Sequence, residues 1–146
     1  MLAVEQIPAT CLGLHVRRAS RIITQIYDDA LVPVGLALSQ FSLLVAIQLF
    51  DSVAITRLAQ ELCMDQSTLS RNLKPLEREG WVAISLGKDR RLRLVTLTPA
   101  GQLLLEQAIP LWEQVQTSLL AHYGQQNWQT LLTLLAEARS LRQAEI

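Results

Sequence analysis

The apolar positions at the start of the chain recur at helical spacing. Between residues 8 and 31 they fall on one side of a helix, at Leu12, Val16, Ala19, Ile23, Ile26 and Ala30. This pattern predicts an amphipathic opening helix, which Pro33 and Gly35 are expected to end. Ser39 is the expected N-cap of a second, mostly buried helix that runs to about Phe50.

The central part of the chain predicts two short helices separated by a tight turn. The first covers about residues 55–62, and the second begins after an N-cap at Asp65 and runs to about Glu79. Gly80 supplies the stop of the second helix. Pro75 lies inside it and removes one backbone hydrogen bond, so we expect a bend there.

A β-hairpin is expected directly after these two helices. Residues 81–86 and 92–97 are strand-like, and the polar segment 87–91 joins them. Thr98 is then the expected N-cap of a long helix, with Pro99 at its first position.

A last amphipathic helix follows Gly124, and a one-residue strand stub at Val53 completes the prediction. The fold class is therefore mainly α with a small β-hairpin: a winged helix-turn-helix with N- and C-terminal dimerisation helices. We expect the DNA-binding unit at residues 37–98 and the dimerisation helices at residues 1–36 and 99–146.

The second short helix carries the first group of candidate functional residues. In helix-turn-helix proteins the second helix enters the major groove of DNA with its N-terminal residues against the base edges. Its candidate DNA contacts here are Gln66, Ser67, Thr68, Ser70, Arg71 and Lys74. Arginine is the commonest bidentate reader of guanine, and free N–H groups at a helix start favour an anion.

Charge is distributed unevenly along the chain. The formal net charge is zero, yet residues 66–93 contain seven cations and three anions, an excess of four positive charges. The hairpin contributes the second group of candidate DNA contacts: Lys88, Arg90, Arg91 and Arg93. An arginine-rich tip suits the narrow, electronegative minor groove. The alternative is that these charges only keep a surface soluble.

Five motifs carry a family resemblance: Gln40-Phe41, Leu58-Ala59, Ser67-Thr68-Leu69-Ser70-Arg71, Leu76-Glu77-Arg78-Glu79-Gly80-Trp81, and Asp89-x-Arg91 followed after five residues by Leu97-Thr98-Pro99-x-Gly101. Together they resemble the MarR family of bacterial regulators over nearly the whole chain. The resemblance implies that Arg91, with Arg90 as a close second, enters the minor groove. It also implies that Asp89 orients the tip, which we expect it to do through an ion pair.

The first and last helices predict a homodimer. Their apolar stripes are larger than a lone winged helix can cover, and exposed patches of that size usually mark an interface. The resemblance implies that the terminal helices of two subunits interleave. A two-fold pair would then place its recognition helices about 34–36 Å apart on a pseudo-palindromic DNA site. The alternative is that these helices close a monomeric core.

Cys11 is a candidate sensor of oxidants. We expect it in the first turn of the opening helix, where the helix dipole favours thiolate, with His15 four residues later on the same face. The alternatives are a packing role for Cys11, or a metal site made by Cys11, His15 and His122 across the dimer. We expect Cys63 in the core. The family resemblance also implies a small-molecule inducer.

Other functional classes find less support in the sequence. No nucleophile-elbow, phosphate-loop or paired-carboxylate motif is present, so we expect no enzyme, no catalytic residue and no cofactor. A second rival is a winged helix used only for protein–protein assembly. The second helix of its helix-turn-helix would be uncharged, whereas this one carries Arg71 and Lys74. No apolar stretch approaches the roughly 20 residues that span a bilayer, and no signal peptide is seen. We therefore expect a cytoplasmic protein that does not contact a membrane. The cationic helix and hairpin predict double-stranded DNA as its partner, and the family resemblance implies that it acts as a repressor.

Overall fold

The computed structural model describes residues 3–142 and is mostly helical. Its elements, in chain order, are a 3-10 turn Val4–Gln6, α1 Ile7–Thr10, α2 Leu12–Leu31, a 3-10 turn Val32–Val34, α3 Leu38–Phe50, β1 Ser52–Ala54, α4 Ile55–Glu61, α5 Gln66–Arg78, β2 Val82–Leu86, β3 Arg93–Leu97, α6 Pro99–Tyr123, α7 Gln125–Glu137, and a 3-10 turn Ala138–Arg142. The predicted winged helix-turn-helix with flanking helices is confirmed. Below, residues 37–98 are called the reading head and the hairpin β2–β3 with its loop is called the wing.

The opening helix is interrupted at Cys11, where one continuous helix was expected. Cys11 has an extended backbone (φ −79°, ψ 109°) and is the N-cap residue of α2. Its carbonyl oxygen accepts a hydrogen bond from the N–H of His15 at 3.2 Å. The prediction that Cys11 lies in the first turn of this helix is therefore wrong by one position.

The connection from α2 to α3 is fixed by a side chain from α2. Gly35 adopts the left-handed conformation (φ 69°) and turns the chain, as expected of a helix stop. The N-cap of α3 is Ala37 and not Ser39. Ala37 has no side-chain acceptor, so the carboxylate of Asp28 accepts from the N–H of Leu38 at 2.7 Å. The opening helix thus caps the first helix of the reading head.

Three short antiparallel strands form the sheet, in the order β1-β3-β2. The expected stub at Val53 is a three-residue strand that pairs with β3, and Val53 lies opposite Val95. Val95 also lies opposite Ile84 of β2 and is completely buried. The core of the reading head is built by fully buried side chains from four elements, namely Leu44, Ile47, Leu58, Leu69, Leu73, Leu76 and Val95. The sheet and α5 therefore share one hydrophobic core.

A compact junction joins α5, the wing and α6. The N–H of Thr98 donates to the carbonyl of Trp81 (3.1 Å), and its hydroxyl donates to the carbonyl of Gly80 (2.6 Å). The same hydroxyl oxygen accepts from the N–H of Gly101 (3.1 Å), so Thr98 is the predicted N-cap of α6. A Cβ atom on Gly101 would lie 2.0 Å from the carbonyl oxygen of Trp81. Only glycine permits this approach of α6 to the wing.

The terminal helices leave much of their apolar surface uncovered. Every residue from 12 to 22 is exposed, and α7 contains no buried residue. Leu12 is 72% exposed and Leu134 is 60% exposed. By contrast, the C-terminal half of α2 packs on α6, where the Tyr27 hydroxyl bonds to Gln116 at 3.1 Å. The apolar stripes expected of an interface are therefore present and open.

Over the part of the chain that the structure describes, no single helix is both long and apolar enough to cross a membrane. The segments Leu12–Val34 and Leu38–Phe50 would together be long and apolar enough for a membrane span, but the chain bends by 75° between them.

Replacing Gly101 by alanine should destabilise the protein by about 1–3 kcal/mol, since the added methyl group must push α6 away from Trp81. Thermal unfolding measures the loss. Gly13→Ala is the matched control because a Cβ there meets only the sulfur of Cys11, at 3.8 Å. That variant should be neutral or slightly more stable. Equal melting temperatures for both variants would contradict the close approach.

Candidate nucleic-acid interface

The start of the recognition helix α5 is organised by Asp65. One carboxylate oxygen accepts from the Thr68 N–H (2.8 Å) and from the Ser67 hydroxyl (2.6 Å). The other oxygen accepts from the Thr68 hydroxyl at 2.8 Å. The predicted N-cap is confirmed, and it engages two side chains in addition to the backbone.

These three hydrogen bonds stabilise the charged form of Asp65. The bond from the Ser67 hydroxyl is the largest cause, followed by the backbone and side-chain bonds from Thr68, and together they hold the pKa of Asp65 well below its ordinary value. Because the folded-state pKa lies below the unfolded one, this carboxylate contributes stability above the unfolded pKa, and the contribution is lost as the pH falls below it.

The cap changes what the predicted contact residues of α5 can offer. The hydroxyl protons of Ser67 and Thr68 point to Asp65, so in this geometry neither can donate to a phosphate. Thr68 also accepts from the Arg71 guanidinium at 3.4 Å, which leaves the other N–H groups of Arg71 free to face outward. Gln66, Arg71 and Lys74 are exposed, whereas Ser70 is half-buried. The candidate DNA contacts of α5 that face outward are therefore the amide of Gln66 and the cationic groups of Arg71 and Lys74.

Asp89 orders the wing tip, but through a different bond from the one expected. Its carboxylate accepts from the backbone N–H of Arg91 at 3.0 Å. Within residues 3–142 no salt bridge involves Asp89, so the expected ion pair is corrected. The tip is closed further by backbone bonds between Gly87 and Leu92 (2.8 Å) and between Leu92 and Asp89 (2.9 Å). The Arg91 guanidinium is consequently not held by Asp89 and can face a partner.

The two predicted contact elements are connected, and their cations face solvent. Strand β2 packs directly on α5. The exposed cations of both elements are Arg71, Lys74, Arg78, Lys88, Arg90, Arg91 and Arg93. A capped helix and an arginine-rich hairpin on one rigid core match the arrangement by which winged helices occupy two adjacent grooves.

The residues predicted to sense oxidants gain no support from the geometry. Cys11 is half-buried, and the Nε2 atom of His15 lies 3.2 Å from the carbonyl oxygen of Ala9. Among the described residues, no group of three or more His, Cys, Asp or Glu side chains could hold a metal ion. The redox role of Cys11 and the metal site with His122 across the dimer stay predictions.

Cys63 is exposed, which corrects its expected place in the core. It lies in the turn between α4 and α5, where it has a positive φ of 52° and its neighbours Leu62 and Met64 are half-buried.

Comparison with known proteins decides the family. The family model for the MarR family matches residues 36–91. The Mycobacterium tuberculosis transcriptional regulator MosR, in complex with DNA, is 34% identical, with a TM-score of 0.83 over 91% of this chain and 96% of MosR. The chain belongs to the MarR family.

Two further relatives of this MarR-family protein extend the comparison. Bordetella bronchiseptica BpsR, whose DNA binding is regulated by 6-hydroxynicotinic acid, is 26% identical, with a TM-score of 0.80 over 89% of this chain and 94% of BpsR. Escherichia coli MarR shares the fold in two states. A cysteine-to-serine mutant of MarR, complexed with operator DNA, has a TM-score of 0.84 at 24% identity, over 93% of this chain and 99% of MarR.

The wild-type apo form of MarR has a TM-score of 0.70 at 26% identity, over 87% of this chain and 96% of MarR. The fold is therefore shared with MarR both in its complex with DNA and in its apo form. This MarR-family protein is a DNA-binding transcriptional regulator.

Asp65→Asn should lower the melting temperature at pH 6, because an amide nitrogen cannot accept the Thr68 hydroxyl proton. The difference from the wild type should shrink as the pH falls below about 4, the ordinary pKa of an aspartate. Thermal melts between pH 6 and pH 2 measure it. Ser67→Ala removes the strongest of the three bonds and should weaken the same pH dependence. A difference that stays constant across this range would contradict the proposed origin of the shifted pKa.

Proposed function

We propose that the protein binds pseudo-palindromic operators as a homodimer and represses transcription. In each subunit α5 lies in the major groove and the wing in the adjacent minor groove. The observation that carries this proposal is the exposed, positively charged surface shared by α5 and the wing tip. On α5, Arg71 is the proposed base reader, and Gln66 and Lys74 flank it. On the wing, Arg91 and Arg90 are the proposed minor-groove residues.

The remaining candidates take supporting roles in this proposal. Lys88 and Arg93 are exposed on the wing and are proposed as phosphate contacts. Ser67 and Thr68 are proposed to act mainly by organising the helix start with Asp65. The half-buried Ser70 is proposed as a short-range contact that forms once the helix is seated in the groove. Asp89 holds the backbone at Arg91 and is proposed not to touch DNA.

The homodimer is supported by the uncovered apolar faces of α2 and α7. Burying such faces between two copies is favourable by about 25 cal/mol for each Å² of apolar surface removed from water. We propose residues 1–36 and 99–146 as the dimerisation part and the reading head as the DNA-binding part.

Small-molecule control of DNA affinity is proposed from family membership, because BpsR is regulated by a small molecule. We further propose that the protein acts in the cytoplasm, where its DNA partner lies, and that it is not an enzyme. A winged helix that serves only protein–protein assembly would not need the cations of α5 and the wing. A DNA-binding measurement distinguishes such an assembly module from a regulator that binds DNA.

Arg71→Ala should cost about 1–3 kcal/mol of specific binding and relax base preference, because it removes a bidentate base contact. Arg91→Ala should weaken binding to specific and unrelated duplexes more evenly. Gel shifts with the DNA upstream of the protein's own gene measure both effects. Arg17→Ala, which removes a cation outside both elements, is the control. Undiminished binding by the Arg71 and Arg91 variants would contradict the proposed interface.

Leu135→Glu should weaken dimerisation by about tenfold or more, since it places an unpaired charge in the apolar face of α7. Sedimentation velocity measures the subunit equilibrium, and DNA affinity should fall in parallel. Gln129→Glu adds the same charge at a polar position of α7 and should leave the dimer intact. A Leu135→Glu protein that remains a dimer would contradict this interface.

A further inference from the structure

The C-terminal end of the chain reaches back to the reading head through Arg139. Arg139 lies in the 3-10 turn after α7, and its Nη2 atom donates to the carbonyl oxygen of Glu61 at 2.9 Å. The same nitrogen lies 3.4 Å from the carboxylate of Glu61. This contact joins residues that are 78 positions apart in sequence.

The chemistry of the contact suits the place where it forms. Glu61 is the last residue of α4, so its carbonyl oxygen belongs to the helix end that lacks intrahelical partners. A guanidinium there also meets the negative end of the helix dipole. The hydrogen bond to Glu61 raises the pKa of Arg139. Arg139 therefore acts as a C-terminal cap supplied by another part of the chain.

The contact lies beside the start of the recognition helix. Only the turn at residues 62–64 separates Glu61 from Asp65, the N-cap of α5. A displacement of Glu61 is therefore transmitted through this short turn to Asp65, and from Asp65 to the start of α5, which carries Gln66 and Arg71. No other side-chain hydrogen bond within residues 3–142 connects the end of α7 with the reading head.

The contact is too exposed to hold the fold together. The side chains of Arg139 and Glu61 are 59% and 43% exposed, and solvent-exposed pairs contribute little to global stability. Orientation is a different matter, because a weak contact can bias two arrangements of domains that are close in energy. The arrangement that contains this contact has the fold of MosR in its complex with DNA.

We propose that Arg139 is a positioning residue that holds the reading head in its DNA-binding orientation by capping α4 at Glu61. This inference rests on the proposed function, since it assigns Arg139 a role in DNA binding without contact to DNA. The interaction is local and reversible, so a signal that displaces the end of α7 would also loosen the reading head.

The test compares Arg139→Gln with the wild-type homodimer on the same operator duplex. Arg139→Gln should lower DNA affinity by about two- to tenfold, with an unchanged melting temperature and an unchanged dimer. The slope of log Kd against log salt concentration should stay at the wild-type value, because no phosphate contact is lost. Glu61→Gln retains the carbonyl acceptor and should lose less affinity. Gln48→Glu makes the same change of one unit in net charge at an exposed position of α3 and is the control for net charge.

Several results would overturn the inference. Equal or higher affinity of Arg139→Gln would show that the contact does not favour DNA binding. A salt slope reduced by about one would identify Arg139 as a direct phosphate contact instead. A loss of affinity that Gln48→Glu reproduces would assign the effect to net charge. Failure of the wild-type protein to bind DNA would contradict the proposed function itself, and this outcome is separate from all the others.

Discussion

The close approach of α6 to the wing at Gly101 is the constraint on which the cationic surface of α5 and the wing depends. Because no side chain intervenes there, Thr98 can form hydrogen bonds with Gly80, Trp81 and Gly101 at the same time. Gly80 ends the recognition helix and Trp81 begins the wing. The helix, the wing and the long terminal helix therefore share a fixed point, and the cations of both elements are presented by one rigid unit.

Two further hydrogen bonds tie the reading head to the terminal helices, and both use a charged side chain to cap a helix of another segment. Asp28 of α2 caps the start of α3, and Arg139 caps the end of α4. The carboxylate of Asp28 lies at the N-terminus of a helix, and the guanidinium of Arg139 lies at the C-terminus of a helix. The helix dipole favours both placements. The reading head is thus held at three places by bonds to α2, α6 and the segment after α7.

The sequence predicted the features that depend on local chemistry. Helical spacing of apolar residues located the helices, and Asp65, Gly80 and Thr98 marked ends that the structure confirms. It failed where the deciding partner lies elsewhere in the chain. Ser39 looked like the cap of α3, but the acceptor comes from Asp28 on another helix. Asp89 satisfies a backbone N–H two residues away instead of a cation, and no local pattern indicated the contact of Arg139 with Glu61.

Zero net charge is compatible with DNA binding because the proposed DNA interface and the proposed dimer interface depend on different forces. The reading helix and wing concentrate exposed cations, and interactions of that kind weaken steeply as salt rises. The terminal helices instead expose leucine, isoleucine and valine, and burial of such surface is not weakened by salt. Salt can therefore release a dimer from DNA without separating its subunits. The acidic residues that neutralise the chain lie mostly outside residues 66–93, so they do not cancel the local positive field of that segment.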